Sequence, residues 1–296
     1  MRTLVHLSDL HFGTVDPVLV GPLVDRIRRV QPDVVVVSGD LTQRARSEQF
    51  KDAREFLDRL PRPLIVVPGN HDVPMGNVFD RFLRPLQKYR AYIDRNVEPS
   101  YVDREIAVLG VNTARSGTIK SGRISGEQIA RLRTQLEPLG AGVVKIIVTH
   151  HPFDLPTHHD LGDLVGRAPQ AMQMFAACRV DMLLAGHMHA SHAGDTAVGW
   201  QLGGFSALAV QAGTALSTRR RDEVNSFNVI RIAPRRISVD RFSWEAESGG
   251  FEPARSDAFE QTASGWSSAL QSKVESGRIS PAVPGDRTPP DHTPHA

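Results

Sequence analysis

Four consecutive valines, Val34 to Val37, constrain the fold more than any other feature of this 296-residue sequence. A continuous β-branched run is typical of a strand buried on both faces, as in a parallel sheet that helices cover on each side. Apolar residues at helical spacing flank the run, over 19–30 and 50–60, and further strands are predicted at 4–7 and 64–67. This strand–helix–strand rhythm indicates α/β layers joined by right-handed crossovers.

The rhythm continues to about residue 200 and then gives way to strands alone. Strands are predicted at 106–111, 144–148 and 182–184, helices over 129–136 and 172–179, and later strands at 207–211, 227–232 and 237–242. A β-rich second half that closes against an α/β first half predicts two sheets packed face to face. We therefore expect an α/β protein, a four-layer α/β/β/α sandwich of two mixed β-sheets flanked by helices.

Composition excludes several classes of protein. The formal net charge is +2, so no strong electrostatic attraction to nucleic acid or to a membrane is expected. Cys178 is the only cysteine, which excludes an intrachain disulfide and fits a reducing compartment. The first residues lack the apolar stretch of a secretory signal, and no run approaches the roughly 18 apolar residues of a membrane span. We expect a cytoplasmic protein without a membrane or nucleic-acid partner.

Five polar clusters lie where predicted strands end. They are Asp9-Leu10-His11, Gly39-Asp40, Gly69-Asn70-His71-Asp72, His150-His151-Pro152 and Gly186-His187-Met188-His189. Each cluster alone is weak evidence, because such short motifs occur by chance in many loops. In open α/β sheets, however, ligands bind at the carboxyl ends of strands, so the five clusters should converge in space.

The side chains of these clusters are typical of a metal site. Imidazole, carboxylate and amide groups form a mixed nitrogen and oxygen donor set without thiolate, which suits Fe, Mn, Zn or Co. The set is also too large for one tetrahedral ion. It suits two ions that share a carboxylate, each with a position left for water or substrate.

At these clusters the sequence resembles the calcineurin-like metallophosphoesterase superfamily, whose signature is D-x-H, G-D, G-N-H-[DE], a later His and G-H-x-H. The resemblance implies that Asp9, His11 and His189 hold one metal ion. It implies that Asn70, His150 and His187 hold the other, with Asp40 bridging the two. It covers residues 1–245, the expected metallophosphoesterase domain, and leaves 246–275 as a C-terminal extension. Residues 276–296 contain five prolines and no aromatic residue, so this tail is predicted to be disordered.

The same resemblance implies a reaction. A hydroxide that bridges the two metal ions would attack phosphorus, in line with the leaving oxygen. His71 would lie outside the metal ligands and face the phosphate, where it could stabilise charge or protonate the leaving oxygen. Asn70 and His151 are further candidates for contact with the substrate. The implied activity is hydrolysis of a small phosphate ester.

Differences from other groups of this superfamily indicate which group the sequence resembles most. Gln43 stands where protein Ser/Thr phosphatases and purple acid phosphatases require different residues, and His71 replaces the arginine of the lipid A pathway hydrolases. The segments 38–42 and 122–132 look like class III cyclic-nucleotide phosphodiesterases and their glycerophosphodiesterase relatives. A phosphodiester of cyclic-nucleotide or glycerophosphodiester type is therefore the expected substrate, and manganese or iron a fitting metal.

Three alternatives stay open at this point. A phosphomonoesterase would use the same metal core. A catalytically silent scaffold would have lost ligands, yet here every ligand position is filled. A repair-type nuclease would need a basic binding surface, which a net charge of +2 does not provide.

Several other polar residues are expected to have structural or solvent-exposed roles. The oligomeric state stays open, and a homodimer is one possibility. His6 alternates away from Asp9 along its strand and is expected to be a core histidine. His192 continues the last cluster and could support a ligand. His158 and His159 are expected in a solvated loop. A solvated surface is expected for Arg219, Arg220 and Arg221, with contact to a phosphate as the alternative.

Overall fold

A computed structural model describes residues 1–76, 78–118, 120–155, 163–218 and 223–269. The segments that contain His158, His159, Arg219, Arg220 and Arg221 lie outside the described residues, as does the tail 276–296. The predictions made for them therefore remain predictions.

Strands and helices alternate as expected over the first two thirds of the described chain. The strands are β1 (Arg2–Leu7), β2 (Val34–Ser38), β3 (Leu64–Val67), β4 (Ser100–Val102), β5 (Ile106–Gly110), β6 (Val144–Val148), β7 (Met182–Ala185), β8 (His192–Asp195), β9 (Leu208–Gln211), β10 (Ser226–Ala233), β11 (Arg236–Glu245), β12 (Gly250–Thr262) and β13 (Gly265–Ser268). The helices are α1 (Pro17–Val30), α2 (Ser47–Asp58), α3 (Val78–Leu83), α4 (Gln87–Tyr92), α5 (Gly126–Leu136) and α6 (Ala168–Ala177).

Local signals explain where the crossover helices begin. The Asp16 side chain accepts a hydrogen bond from the Val18 backbone N–H at 3.1 Å and caps α1, which has Pro17 in its first turn. At α5, Ser125 and Gln128 form a capping box, with reciprocal hydrogen bonds of 3.1 and 2.8 Å. These caps satisfy backbone N–H groups that have no partner within the helix.

The first sheet has the order β13-β12-β11-β10-β1-β2-β3. Its strands β1, β2 and β3 pair in parallel, whereas β10 to β13 pair antiparallel. The second sheet has the order β4-β5-β6-β7-β9-β8, with β5, β6, β7 and β9 parallel and an antiparallel strand at each edge. Both sheets are mixed, as predicted.

Alternating side chains of the strands fill three apolar layers. Val34 and Val36 of β2 pack between the two sheets, together with Ile146 of β6. Val35 and Val37 point the opposite way, into a layer shared with α1 and α2. A third layer lies between the second sheet and α5 and α6. The order of layers is helix, sheet, sheet, helix, which confirms the predicted α/β/β/α sandwich.

The β-rich second half does not form a sheet of its own, which differs from the simplest reading of the sequence. β10 pairs with β1, and β9 pairs with β7, so late strands complete sheets that early strands begin. Residues 250–268, set apart as part of an extension, form β12 and β13 and continue the first sheet. The short edge strands β4 and β8 and the helices α3 and α4 were also not predicted.

Candidate metal centre

The predicted clusters meet at one end of the sandwich, where backbone hydrogen bonds continue past the strand ends. The Asp9 N–H donates to the Gly39 carbonyl at 3.2 Å, and the His11 N–H donates to the Asp40 carbonyl at 2.9 Å. In the second sheet, the Gly186 N–H donates to the His150 carbonyl at 3.0 Å. These bonds hold the loops after β1, β2, β6 and β7 in register, as expected of a site at the carboxyl ends of strands.

One group of side chains comes from the first and last clusters. The Nε2 atom of His189 lies 3.3 Å from Oδ1 of Asp9 and 3.3 Å from Nε2 of His11. The His11 Nε2 atom lies 3.6 Å from the same Asp9 oxygen. All three residues are buried. The three donor atoms are thus close enough to one another to bind a single ion.

A second group comes from the middle clusters. The Nε2 atom of His150 lies 3.0 Å from Oδ1 of Asn70 and 3.3 Å from Nδ1 of His187. It also lies 3.4 Å from Oδ2 of Asp40. The structure therefore brings together every residue that the sequence assigned to the second ion.

Asp40 lies between the two groups. Its Oδ2 atom is 3.4 Å from His150 Nε2 and 3.9 Å from His11 Nε2, so one oxygen faces both. Its Oδ1 atom accepts a hydrogen bond from the backbone N–H of His71 at 2.8 Å. The carboxylate is oriented by this bond and is placed where a bridging ligand would stand.

Five of the seven proposed ligands have backbones in the left-handed region. They are Asp9, His11, Asp40, His187 and His189, with φ between 49° and 71°. This conformation is unusual for residues other than glycine and costs on the order of 1–3 kcal/mol for each residue. Its concentration at one place indicates a functional site whose geometry the surrounding fold enforces.

Hydrogen bonds from outside the cluster fix several of these side chains. The Ser8 hydroxyl donates to Asp9 Oδ2 at 2.6 Å, and the His187 backbone N–H donates to the same oxygen at 3.0 Å. The Nδ1 atom of His150 lies 2.8 Å from the Ser38 carbonyl, which can only accept, so Nδ1 carries the hydrogen. The Nε2 atom of His150 is then left as the donor atom for an ion.

Asp72 braces the loops that carry Asp40 and Asn70. Its carboxylate accepts backbone N–H bonds from Leu41, Thr42 and Gly69 at 2.9–3.1 Å, and a bond from the Thr42 hydroxyl at 3.0 Å. Burial, followed by repulsion from the charge of Asp40, raises the pKa of Asp72 to about 6. The sequence motif contained Asp72 but assigned it no role, and Ser8 carried no signal at all.

His71 contacts the first group without belonging to it. Its ring lies edge-on to the His11 ring, with centroids 4.9 Å apart. Its Nδ1 atom lies 2.8 Å from the Gln43 carbonyl, so Nδ1 carries a hydrogen and the ring orientation is fixed. The side chain is partly exposed, in contrast to the buried His11. This position suits a group that meets the substrate.

His151 neither faces outward nor stands at the mouth of the site. The ring is fully buried, with Nδ1 2.8 Å from the Thr113 hydroxyl and Nε2 2.8 Å from the Lys120 carbonyl. It packs 4.7 Å from the His187 ring and 4.8 Å from the His150 ring, measured between centroids. Burial, together with the charges of His150 and His187, holds its pKa well below the usual range. The neutral ring packs against two proposed ligands, His150 and His187.

The cluster is electrostatically poised for cations. Burial acts to raise the pKa of Asp40, but the charge of His150 and its hydrogen bond outweigh burial and hold that pKa well below its usual range. Burial acts to lower the pKa of His150, yet Asp40 raises it to about 9. Burial and the charge of His150 lower the pKa of His187 to about 4. Nearby positive charge thus stabilises the buried carboxylates, and metal ions would supply such charge.

The residues fit such ions. The Oδ1 atom of Asp9 is buried and makes no hydrogen bond within the described residues, which is costly unless another partner is present. Donor atoms of Asp9, His11 and His189 lie within 4.8 Å of one another, as do those of Asp9, Asp40 and His150. The donors are nitrogen and oxygen without sulfur, the set that suits Fe, Mn, Zn or Co.

Two other histidines do not join the cluster. His6 is fully buried in β1, with Nε2 2.9 Å from the Ser38 hydroxyl, and burial lowers its pKa to about 3. This is the core histidine that the sequence predicted. His192 lies in the edge strand β8 and pairs in register with Gln211.

Comparison with known proteins shows the family to which this chain belongs. The family model of the calcineurin-like phosphoesterases matches residues 2–191. This chain belongs to that family, so it is a hydrolase of phosphoric esters. The match contains all five clusters of proposed ligands, and it confirms the superfamily that the motifs indicated.

Curated relatives have names from the branch that the sequence resembled. A glycerophosphodiester phosphodiesterase GpdQ of Enterobacter lignolyticus is 30% identical over 193 residues, which is 58% of this chain and 68% of that protein. A probable glycerophosphodiester phosphodiesterase GpdQ of Arcobacter nitrofigilis is 27% identical and covers 54% and 57%. A probable cyclic nucleotide phosphodiesterase of Ruthia magnifica is 22% identical and covers 64% and 78%.

Solved structures share the fold at low sequence identity. A dimetal phosphatase from Danio rerio superposes with a TM-score of 0.61 at 14% identity, over 82% of this chain and 96% of that one. The purple acid phosphatase PPD1 of yellow lupin gives a TM-score of 0.62 at 12% identity, over 87% and 53%. Within the described residues, no helix is both long and apolar enough to cross a membrane.

Proposed function

We propose that this protein hydrolyses small phosphodiesters, of cyclic-nucleotide or glycerophosphodiester type, with two metal ions held by seven side chains. Asp9, His11 and His189 would hold one ion and Asn70, His150 and His187 the other, with Asp40 shared. The observation that carries this proposal is the position of Asp40 Oδ2, which faces His150 at 3.4 Å and His11 at 3.9 Å. A single carboxylate oxygen between two groups of donors suits a dinuclear centre.

The ions, when bound, would polarise the phosphoryl oxygens and make water nucleophilic near neutral pH. The protein supplies orientation. Asp40 is held by the His71 backbone N–H at 2.8 Å, and Asp9 is held by Ser8 at 2.6 Å. Neither carboxylate needs to reorganise during the reaction, which favours stabilisation of charge that develops in the transition state.

His71 would act on the leaving group. Hydrolysis breaks the bond between phosphorus and the leaving oxygen, and an alkoxide leaves far more easily when it receives a proton. The Nδ1 hydrogen of His71 is committed to the Gln43 carbonyl at 2.8 Å. The proton that passes to the leaving oxygen would therefore come from Nε2 of the doubly protonated ring.

The names of the relatives favour a diester over a monoester. The relatives described above are named as glycerophosphodiester and cyclic nucleotide phosphodiesterases. The phosphomonoesterase stays the alternative, because the metal ligands would be the same.

A substrate panel tests the proposal. Protein supplemented with manganese or iron is first analysed for metal, with two ions per chain expected. Cyclic AMP, a glycerophosphodiester, bis-p-nitrophenyl phosphate and p-nitrophenyl phosphate are then compared by kcat/KM. Higher values for the diesters support the proposal. A clear preference for p-nitrophenyl phosphate would favour the phosphomonoesterase, and one ion or fewer at saturation would contradict the dinuclear centre.

A further inference from the structure

Helix α3 presents its apolar side to solvent. Val78, Phe79, Phe82 and Leu83 are 70, 59, 59 and 66% exposed, and Met75 just before the helix is 51% exposed. Because residues four apart share a helical face, these four positions form one continuous apolar surface. We call it the α3 face. Large apolar residues scattered singly are ordinary on a protein surface, but a contiguous group of this kind marks an interaction site.

The opposite side of the same helix is polar and buried. Arg81 is only 9% exposed, and its guanidinium donates to the carbonyls of Ser116 and Thr118 at 2.8 Å and of Pro74 at 3.4 Å. A globular helix normally buries its apolar side and exposes its charges. Here the arrangement is inverted. Arg81 anchors the helix in this orientation, so the α3 face is held outward.

Basic side chains border the α3 face. Leu83 lines a groove that continues past Arg84, Arg90 and Arg115. Arg84 and Arg90 are exposed, whereas Arg115 is partly buried against Gln128. An apolar surface with cationic groups at its border fits a partner that is both apolar and anionic.

We propose that the α3 face docks on the surface of a lipid bilayer that contains anionic lipids. Its phenylalanines and leucine would enter the boundary between headgroups and acyl chains, while Arg84 and Arg90 would pair with the lipid phosphates. The finding that no described helix could cross a membrane does not bear on such peripheral binding. A net charge of only +2 predicted no membrane partner, but it averages over the whole chain and does not describe this local surface.

A second copy of the chain fits the α3 face less well. The four side chains of the α3 face and Met75 together offer on the order of 500 Å², whereas a stable interface buries about 800 Å² on each partner. Packing the face against itself would also bring the arginines of the two copies together. A bilayer avoids both difficulties, because each apolar side chain adds to binding independently and every headgroup phosphate is an acceptor.

The α3 face lies close in sequence to the proposed metal centre, but the docking proposal does not depend on the proposed function. The α3 helix begins six residues after Asp72, which closes the turn containing Asn70 and His71. Docking through α3 would therefore involve the segment that follows this turn in the chain. Vesicle binding can succeed or fail whatever ester the site hydrolyses.

Flotation with vesicles tests the proposal. Wild-type protein should float with vesicles of phosphatidylcholine and phosphatidylglycerol, and at least about tenfold less with phosphatidylcholine alone. The double variant Phe79→Ser, Phe82→Ser should reduce binding to anionic vesicles by at least about tenfold. The matched control Val18→Ser, Val198→Ser alters apolar residues that are 65 and 72% exposed elsewhere, and should bind like wild type. Turnover of bis-p-nitrophenyl phosphate in solution should be unchanged in both.

The Arg84→Gln, Arg90→Gln variant separates the two contributions, since it should weaken binding most at low salt. The proposal fails if wild-type protein ignores anionic vesicles, or if the serine variant and its control bind equally. Sedimentation provides a further decisive outcome. A wild-type dimer that becomes a monomer in Phe79→Ser, Phe82→Ser, without vesicle binding, would assign the α3 face to a second copy of the chain.

Discussion

Gly69 stands so close to Asp40 that a Cβ atom on the glycine would lie 2.1 Å from the Asp40 Oδ1 atom and 2.4 Å from its backbone nitrogen. The backbone of Gly69 itself is extended, with φ of −104°, so any residue could adopt it. The need for glycine is therefore purely steric. The loop after β3 must approach the Asp40 carboxylate so closely that no space remains for a side chain at Gly69.

We expect Gly69→Ala to displace Asp40, lower the metal content and reduce kcat by about 100-fold or more, the usual consequence of a misplacement near 1 Å in an active site. Elemental analysis and turnover of bis-p-nitrophenyl phosphate measure the two effects. Gly142→Ala is the control, because a Cβ atom there meets nothing within 4 Å. If Gly69→Ala retains full metal content and activity, the carboxylate does not need its present position.

The charge of Asp40 is predicted to matter as much as its position. Asp40→Asn keeps the shape of the side chain but removes the negative charge that faces both His11 and His150. Both ions should then bind more weakly, and activity at limiting metal should be lost. Asp52→Asn, at an exposed position, provides the control for loss of one charge. Near-native metal content in Asp40→Asn would rule out a bridging role.

Replacing His71 should affect substrates unequally. An alkoxide leaving group needs a proton and p-nitrophenolate does not, and general-acid assistance is typically worth about 10²–10⁴-fold. We expect His71→Ala to lose far more kcat on an alkyl phosphodiester than on bis-p-nitrophenyl phosphate, with metals saturating. Metal content should be nearly unchanged. Equal losses on both substrates would instead assign His71 to stabilisation of charge on the phosphoryl oxygens.

Asp154 should make stability depend on pH. Burial, aided by repulsion from Asp195, raises its pKa to about 6. The unfolded carboxyl titrates near 3.9, so the folded state binds more protons between about pH 4 and 6 and stability falls as pH rises through that window. Asp154→Asn removes the penalty. Its Tm should exceed that of the wild type by about 2–4 °C at pH 7.5, with little difference near pH 4. An advantage that did not shrink as pH fell would contradict the raised pKa.

The convergence of the proposed ligands could be predicted from sequence because these residues obey a local rule. Each follows a strand that apolar patterning identifies, and parallel strands end at a common edge, so Asp9, Asp40 and Asn70 converge without knowledge of the full topology. The supporting contacts obey no such rule. Thr113 reaches His151 across 38 positions of the chain, and nothing around Thr113 in the sequence signals it.

The pairing of the later strands was also beyond local patterning. Apolar alternation identifies β10 and β11 as strands, but which neighbour a strand takes depends on packing between distant segments. Helix α3 was not predicted for a related reason. A helix is normally recognised by the apolar side it buries, and here the buried side chain is Arg81, whose partners are backbone carbonyls.

The pairing of β1 with β10 has a consequence for how the chain reaches its native state. Arg2 pairs in register with Ile232, and on its other edge β1 pairs with β2, so β1 lies inside the first sheet. During synthesis, one edge of β1 remains open until more than 220 further residues have been made. Closing so long a loop is slow, and an open strand edge is prone to pairing with other chains. Nascent chains of this protein should therefore depend on chaperones until β10 has left the ribosome.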